Sequence, residues 1–449
     1  MTYNEPVVAA AERVAAAAIE DTRARLGTEA AVVVKAPAGA GKSYFVGTAV
    51  GALRAAGARV IVGAPTNEQV FGLVELLARR HPRDTVTAVL ASGRVLPQAA
   101  QLPNVVQAAP AINAAGSDLV VATIAKLGFS ADDLGGRDAL VMDEAFQADA
   151  AGYFAIGALA PTHLLVGDSG QLDPFSTMDN PDRWRGLPED PLQTAAGVLL
   201  RNRPETIVHA MPISRRLDPR AVALVRGFYP GHAFDAAVIS GTREMCLVPA
   251  LAGPGALRHL DRALNQAAAA GWAHVELPNA DVLTADPETI ATVSGLVRRL
   301  LERSPRVRGE YTSGFVDLRP EQVAVGVSHN DQKDYLRAEL DAAGLGAVKV
   351  DTANKLQGLQ FEVVVAWHPL AGLPDPDGFH LDPGRLCVLL TRHRQACIVV
   401  GRASDRALVE GMPPSTPAFL GWDPDPVLDG WATHQAVFAG LEPHRITLQ

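Results

Sequence analysis

Short apolar runs alternate with longer polar-containing stretches that are compatible with helices along the first half of the chain. These stretches include residues 42–54 and 67–80. Strands that alternate with helices predict a parallel sheet with helices on both faces, and they place ligands at the carboxyl ends of the strands. The predicted buried strands of this half are residues 31–34, 60–62, 119–121, 139–142 and 164–166.

The second half repeats this alternation after a less regular stretch, and it predicts a second α/β domain. An alanine-rich N-terminal stretch, 6–26, and residues 256–270 are typical of helices, whereas the proline-rich tail predicts an irregular wrap that ends in a short helix. The predicted strands here are residues 323–327, 348–350, 363–366 and 397–400. We therefore predict a first domain over 1–205, a second over 206–410 with a modest insertion at about 228–320, and a C-terminal tail over 411–449.

Composition narrows the class of protein. Of the 449 residues, 48% are hydrophobic and 20% charged, as expected of a globular protein that builds cores rather than of a disordered chain. The net charge of −9 argues against a basic surface that coats nucleic acid, although a narrow basic groove remains possible. No basic-then-apolar leader or membrane-length apolar run is present, and three cysteines without metal-ligand spacing fit a reducing cytoplasm.

The segment from Ala36 to Ser43 follows the first predicted strand and has the composition of a phosphate-binding loop. Backbone amides of such a loop point at an anion, Lys42 reaches the terminal phosphates, and the Ser43 hydroxyl can bind magnesium. The usual pattern has glycine at position 36, and alanine is tolerated there if its φ stays negative. A chance Ala/Gly-rich turn is the alternative. The predicted nucleotide ligands are Pro37, Ala38, Gly39, Ala40, Gly41, Lys42 and Ser43.

Acidic and amide side chains follow the later strands of the same half. Asp143, at the end of one strand, is suited to hold magnesium opposite Ser43, and the adjacent Glu144 to take a proton from an attacking water. Two acids at this position could instead cap a helix. Gln171 follows the next strand and can sense a γ-phosphate, unless its segment is a simple polar turn.

These motifs, taken with later ones, resemble those of superfamily 1 helicases, and most closely the nonsense-decay and Okazaki-processing subgroup, which moves 5′ to 3′. They occur in the family's order over most of the chain. The matching segments are 36–43, 64–67, 121–123, 143–147, 167–174, 213–219, 325–332, 350–352 with 357–358, and 385–386 with 390–392.

The resemblance implies two tandem RecA-like P-loop domains with parallel sheets, and an ATP site in the cleft between them. Lys42, Glu144 and Gln171 are then catalytic residues, and Arg216 and Arg392 are arginine fingers from the second domain. Gly358 and Gln360 approach the phosphate and ribose. The implied cofactors are ATP and Mg²⁺, with Ser43 and Asp143 at the metal. Gln360 replaces the family's glutamate, and the adenine-reading glutamine motif is not recognisable.

The resemblance also implies a single-stranded nucleic-acid partner, DNA more than RNA, and no membrane. The implied nucleic-acid contacts are Pro65, Thr66, Asn67, Thr123, His329 and Thr352. Such residues suit contacts with a strand backbone, but threonine and asparagine at strand ends also cap helices. The chain lacks room for large accessory domains, so processive unwinding could require a protein partner. We therefore expect an ATPase that translocates or unwinds; the alternative is a P-loop ATPase that acts as an ATP-gated switch or scaffold.

Overall fold

The structure of the chain is a computed structural model that divides into two compact units. We call Val8–Ser169 with Asp173–Ile213 the N-terminal domain, and Met1–Val7, Gly170–Leu172 and Ser214–Gln449 the C-terminal domain. The structure describes residues 2–174, 181–184, 187, 190, 192–249, 255–280, 282, 284–370, 372–411 and 426–448.

An eight-stranded parallel sheet forms the centre of the N-terminal domain. Its strands are β1 (Ala30–Lys35), β2 (Val60–Ala64), β3 (Val86–Val89), β4 (Val105–Ala108), β5 (Leu119–Thr123), β6 (Ala139–Met142), β7 (Thr162–Gly167) and β8 (Ile207–Ala210). They lie in the order β4-β3-β5-β2-β6-β7-β1-β8. The ends of β1, β6 and β7 therefore meet at one edge of the sheet.

The central strands of this sheet are buried on both faces, which explains why their sequences are mostly apolar. In β1, Val32 and Val34 join one hydrophobic core and Val33 joins the core on the opposite face. The helices of this half are α1 (Glu5–Arg23), α2 (Lys42–Ala55), α3 (Asn67–Arg80), α4 (Ile124–Phe129), α5 (Ala131–Leu134), α6 (Ala150–Gly157) and α7 (Ala195–Asn202).

The C-terminal domain is built on a second parallel sheet of six strands, in the order β16-β15-β17-β18-β12-β19. The strands of this half are β9 (Ile213–Ser214), β10 (Asp235–Ala236), β11 (Glu244–Cys246), β12 (Trp272–Leu277), β13 (Arg306–Arg308), β14 (Val316–Asp317), β15 (Val323–Val327), β16 (Lys349–Thr352), β17 (Phe361–Trp367), β18 (His393–Arg402) and β19 (Arg445–Thr447). The predicted fold class, α/β with two domains on parallel sheets, is confirmed.

Nine helices are described in the second half of the chain. They are α8 (Pro219–Val225), α9 (Gly255–Ala270), α10 (Pro287–Glu302), α11 (Asn330–Ala342), α12 (Ala353–Leu356), α13 (Gly378–Leu381), α14 (Pro383–Leu390), α15 (Ala403–Glu410) and α16 (Pro426–Leu441).

The stretch 228–320, predicted as an insertion, contributes much of the core of this domain. β12 lies inside the sheet, with all six residues buried, and α9 and α10 pack against the same core. In the same stretch, β11, β13 and β14 form a separate three-stranded sheet, and β10 pairs with β9 in a two-stranded sheet. In the predicted tail, α16 is longer than the expected short helix and β19 adds a strand beside β12; residues 412–425 lie outside the described residues.

Candidate functional site

The phosphate loop connects β1 to α2 and takes the backbone conformation that its glycines allow. Gly39 and Gly41 have φ values of 78° and 91°, in the left-handed region where a Cβ is disfavoured. Ala36 has no positive φ, and its N–H donates to the carbonyl of Gly167 at 2.8 Å, which continues the pairing of β1 with β7. The backbone condition under which alanine is expected to be tolerated at position 36 is therefore met. Lys42 is the first residue of α2.

Two carboxylates from neighbouring strand ends hold the Lys42 ammonium. Its Nζ lies 3.5 Å from Glu144 Oε1 and 3.6 Å from Asp168 Oδ2, and its side chain is 12% exposed. The sequence prediction included Glu144 but did not assign a role to Asp168, whose side chain is fully buried. Its position directly after β7, at the edge where β1 and β6 also end, was the signal that could have identified it.

Asp143 is buried at the end of β6 beside Glu144. Burial, and then the negative charge of Glu144, raise the pKa of Asp143, while the charge of Lys42 acts in the opposite direction. The Asp143 carboxylate accepts the Glu144 N–H at 3.0 Å. Glu144 has a φ of 56°, an uncommon conformation for a residue with a side chain and one typical of functional sites.

The residues predicted to bind Mg²⁺ have donor atoms that suit it. Ser43 is exposed in the first turn of α2 and Asp143 supplies a carboxylate, and Mg²⁺ prefers a few oxygen ligands together with phosphate oxygens and water. The described residues contain no group of three or more His, Cys, Asp or Glu side chains placed to hold a metal ion by themselves. This site fits a metal that arrives with a phosphate-bearing ligand.

Gln171 is grouped with the C-terminal domain, although the sequence placed it with the Lys42 domain. The physical reason is that the backbone of Gln171 packs closely against Gly384, at the start of α14. A Cβ atom added to Gly384 would lie only 2.7 Å from the Gln171 carbonyl oxygen. Gly358 and Gln360 belong to the C-terminal domain and are exposed, and Gly358 has a φ of 82°.

The two predicted arginine fingers converge on Thr391 within the C-terminal domain. Arg216 Nη1 donates to the Thr391 carbonyl at 3.1 Å, and Arg392 Nη2 donates to the Thr391 hydroxyl at 2.8 Å. Arg392 is fully buried and its Nε also donates to the Val388 carbonyl at 3.1 Å, whereas Arg216 is half-buried. Arg215, the alternative to Arg216, is exposed. Thr391 itself was not among the predicted site residues.

The candidate nucleic-acid residues of the N-terminal domain lie at the ends of β2 and β5, which are paired. Pro65 and Asn67 flank Thr66, which caps α3 by accepting the Gln69 N–H at 3.3 Å. Thr123 caps α4 by accepting the Lys126 N–H at 3.2 Å. The helix-cap alternative therefore describes both threonines.

Gln69 also links the carboxyl end of β2 to the segment that contains Asp143 and Glu144. Its Nε2 donates to Gln147 Oε1 at 2.9 Å, and the Gln147 N–H donates to the Glu144 carbonyl at 2.8 Å. A short chain of hydrogen bonds thus runs from the helix capped by Thr66 to the residue that contacts Lys42.

His329 and Thr352 lie at the carboxyl ends of β15 and β16, two paired strands of the C-terminal sheet. Thr352 is the N-cap of α12 and makes no side-chain capping bond. His329 Nε2 lies 3.0 Å from His380 Nε2, and the His380 Nδ1 lies 2.7 Å from Asp377. The exposed ring of Phe379 packs against His329, with ring centroids 4.9 Å apart.

None of the helices described in the structure is long and apolar enough to cross a membrane.

Solved helicase structures resemble the chain at 14% sequence identity. The PRRSV helicase gives a TM-score of 0.42, with 88% of this chain and 55% of that chain covered. Arterivirus nonstructural protein 10, a helicase, in complex with DNA gives a TM-score of 0.43, with 86% of this chain and 64% of that chain covered. The chain therefore spans between about half and two thirds of the length of these viral helicases. No curated protein sequence matches it significantly.

Two family models match the sequence, and both are described as an AAA domain. The first matches residues 16–178, which contain β1 to β7 and the phosphate loop. The second matches residues 279–404, which contain β15 to β18 and Arg392. Together the two matches cover more than half of the chain. The chain therefore contains two regions that match AAA-domain families, and these are families of superfamily 1 helicases.

Proposed function

We propose that the protein hydrolyses ATP to move along, or unwind, nucleic acid. The observation that carries this proposal is the position of Lys42, which begins α2 after a glycine loop and faces Glu144 and Asp168. A lysine at this place reaches terminal phosphates, and a carboxylate beside it can activate water. The fold alone would support many other activities.

In this proposal, the residues at the carboxyl ends of β1 and β6 have separate roles. Backbone amides of the loop and Lys42 bind the phosphates, and Ser43 and Asp143 hold Mg²⁺, which neutralises charge on the phosphate oxygens when bound. Glu144 accepts a proton from the attacking water. Its left-handed backbone fixes the direction in which its carboxylate leaves the strand end.

Arg216 and Arg392 are proposed to stabilise the charge that develops on the transferred phosphoryl group. Known arginine fingers accelerate phosphoryl transfer by about 10³–10⁵. Because both guanidinium groups bond to Thr391, a shift of this residue would move both. Gln171 is proposed to sense the γ-phosphate, and Gly358 and Gln360 to contact the phosphate and ribose.

The nucleic-acid partner is proposed to be a single strand, DNA more than RNA, with movement 5′ to 3′. Support for strand binding comes from the candidate contacts at strand ends, where Pro65, Thr66, Asn67 and Thr123 share one edge. The preference for DNA and the direction follow the helicase subgroup that the sequence motifs resemble. His329 and Thr352 likewise share one edge of the C-terminal sheet, at the ends of the paired strands β15 and β16. Backbone contacts of this kind hold a strand without reading its sequence. The DNA complex of the arterivirus helicase is an example from a similar protein.

A strand-displacement assay tests this function. We expect ATP-dependent displacement from a duplex with a 5′ single-stranded tail, and little from a 3′-tailed duplex; RNA versions of both test the preference for DNA. Lys42→Ala is the control that removes phosphate binding. Strand affinity should fall steeply with rising salt, since phosphate contacts release counterions. ATP hydrolysis with neither displacement nor salt-dependent strand binding would instead support the ATP-gated switch.

A further inference from the structure

A buried arginine, Arg243, donates hydrogen bonds to the main chain of Arg215 and Arg216. The guanidinium of Arg243 is fully buried, and it donates to the carbonyl oxygens of Arg215, at 2.8 Å, and of Arg216. The same guanidinium donates through Nε and Nη2 to the two carboxylate oxygens of Glu310, at 2.9 Å and 2.6 Å. All three of its nitrogens are therefore used.

The small antiparallel sheet brings these two residues together. Glu244 of β11 pairs with Arg308 of β13, so Arg243, just before β11, lies near Glu310, just after β13. Arg394 of β18 donates to Glu310 at 2.7 Å and fixes the carboxylate to the central sheet of the domain. The connection thus runs from β18, through Glu310 and Arg243, to the Arg215–Arg216 main chain.

The two guanidinium groups beside Glu310 favour its ionised form. Burial by itself would raise the pKa of Glu310, but hydrogen bonds and positive charge from Arg243, with further charge from Arg394, hold it below its usual value. A bidentate pair between guanidinium and carboxylate has a fixed plane, and this plane also fixes the direction of the remaining N–H groups. The pair is suited to hold two carbonyl groups in one orientation.

We propose that Arg243, oriented by Glu310, is a positioning residue that sets Arg216 for ATP hydrolysis. The inference rests on the proposed function, in which Arg216 acts on the transferred phosphoryl group. Arg243 fixes the main chain of Arg216, and the Thr391 carbonyl fixes its guanidinium at 3.1 Å, so both ends of the side chain are held. Positioning of this kind matters because a displacement of about 1 Å can cost about 10²-fold in rate.

The test is a double-mutant cycle of Arg243→Lys and Arg216→Ala, read by steady-state ATP hydrolysis. Lysine keeps the charge beside Glu310 but cannot hold a carboxylate and two carbonyls in one plane. We expect Arg243→Lys to lower kcat about tenfold or more, with KM for ATP changed less than about twofold. In the Arg216→Ala background, Arg243→Lys should have no further effect on kcat, because the residue through which it acts is already gone.

Arg402→Lys is the matched control. Arg402 is equally buried in the same domain, pairs with Asp286 through Nε at 3.0 Å and Nη2 at 2.5 Å, and donates to the carbonyl of Pro278 at 2.8 Å. Its side chain bonds to Asp286, Glu288 and the Pro278 carbonyl and not to Arg216, so we expect a comparable decrease in melting temperature without the decrease in kcat.

If Arg243→Lys does not fold, the paired replacement of Arg243→Met with Glu310→Leu removes both buried charges together and carries the same expectation. A decrease in kcat of equal size in both backgrounds, or none in either, would overturn the proposed role of Arg243. Wild-type protein without ATP hydrolysis, or Arg216→Ala at the wild-type rate, would instead remove the function on which the inference rests. The two failures are therefore distinguishable.

Discussion

Neutralising Glu144 should separate its two roles, as a partner of Lys42 and as the base. Glu144→Gln removes the negative charge 3.5 Å from the Lys42 ammonium, and Asp168→Asn removes the one at 3.6 Å. Because the two distances are nearly equal, the variants perturb the lysine to a similar extent. Only the first also removes the carboxylate proposed to accept a proton from water.

The expected effect on nucleotide binding follows from Coulomb's law. At 3.5 Å and an effective dielectric constant of about 20, one such pair is worth about 5 kcal/mol. Most of this attraction is offset, because the second carboxylate still pairs with Lys42 and because the ion pair is partly desolvated in the folded protein. We expect a residual gain of about 1.4 kcal/mol, which is about tenfold tighter ATP binding in either variant.

The expected effect on turnover differs between the variants. Loss of a general base costs about 10²–10⁴ in rate, so Glu144→Gln should lower kcat by at least about 10²-fold, and Asp168→Asn by much less. Titration with a fluorescent ATP analogue measures the affinity, and phosphate release measures kcat. Retained turnover in Glu144→Gln, or an equal loss in Asp168→Asn, would refute the assignment of Glu144 as the base.

Three further perturbations have defined outcomes. Gly41→Ala forces a Cβ into a left-handed backbone at a cost of about 1–2 kcal/mol and should weaken ATP binding about tenfold, whereas Ala36→Gly should not. Gln69→Ala breaks the 2.9 Å bond to Gln147 and should reduce the stimulation of ATP hydrolysis by single strands several-fold, measured as the ratio of rates with and without DNA. Burial lowers the pKa of His434 to about 3, so the stability it contributes is complete above the unfolded pKa of about 6.5 and is lost as pH falls below that value. In His434→Leu, the decrease in unfolding free energy between about pH 7 and pH 5 should be smaller by about 2 kcal/mol, measured by denaturant titration, and an unchanged pH dependence would contradict the buried neutral state.

The parts of the fold that sequence reasoning predicted are those with an uninterrupted apolar pattern. β1, β2 and β15 are buried on both faces, so their sequences contain little but valine, alanine, isoleucine and glycine. β12 lies in an equally buried position but was not predicted, because His274 and Glu276 interrupt its apolar run. β19 has only three residues and borders the sheet, so it carries too few positions for a periodic signal.

Within the site, sequence reasoning found the residues that belong to contiguous motifs and overlooked those that depend on tertiary contacts. The glycines of the phosphate loop and the Asp143–Glu144 pair carry their own local pattern. Asp168 contacts Lys42 only because β7 lies next to β1 in the sheet. Arg243 meets Glu310 through the pairing of β11 with β13 and contacts the Arg216 carbonyl directly, and no local pattern records either contact.

Hydrolysis of ATP by the wild-type protein and by Arg216→Ala, with saturating single-stranded DNA, tests whether the chain is a strand-stimulated ATPase that uses Arg216 as an arginine finger. We expect DNA to raise the wild-type rate several-fold, and the variant to lose about 10³-fold or more in kcat while its affinity for ATP is unchanged. A variant that hydrolyses ATP at the wild-type rate would contradict this role of Arg216.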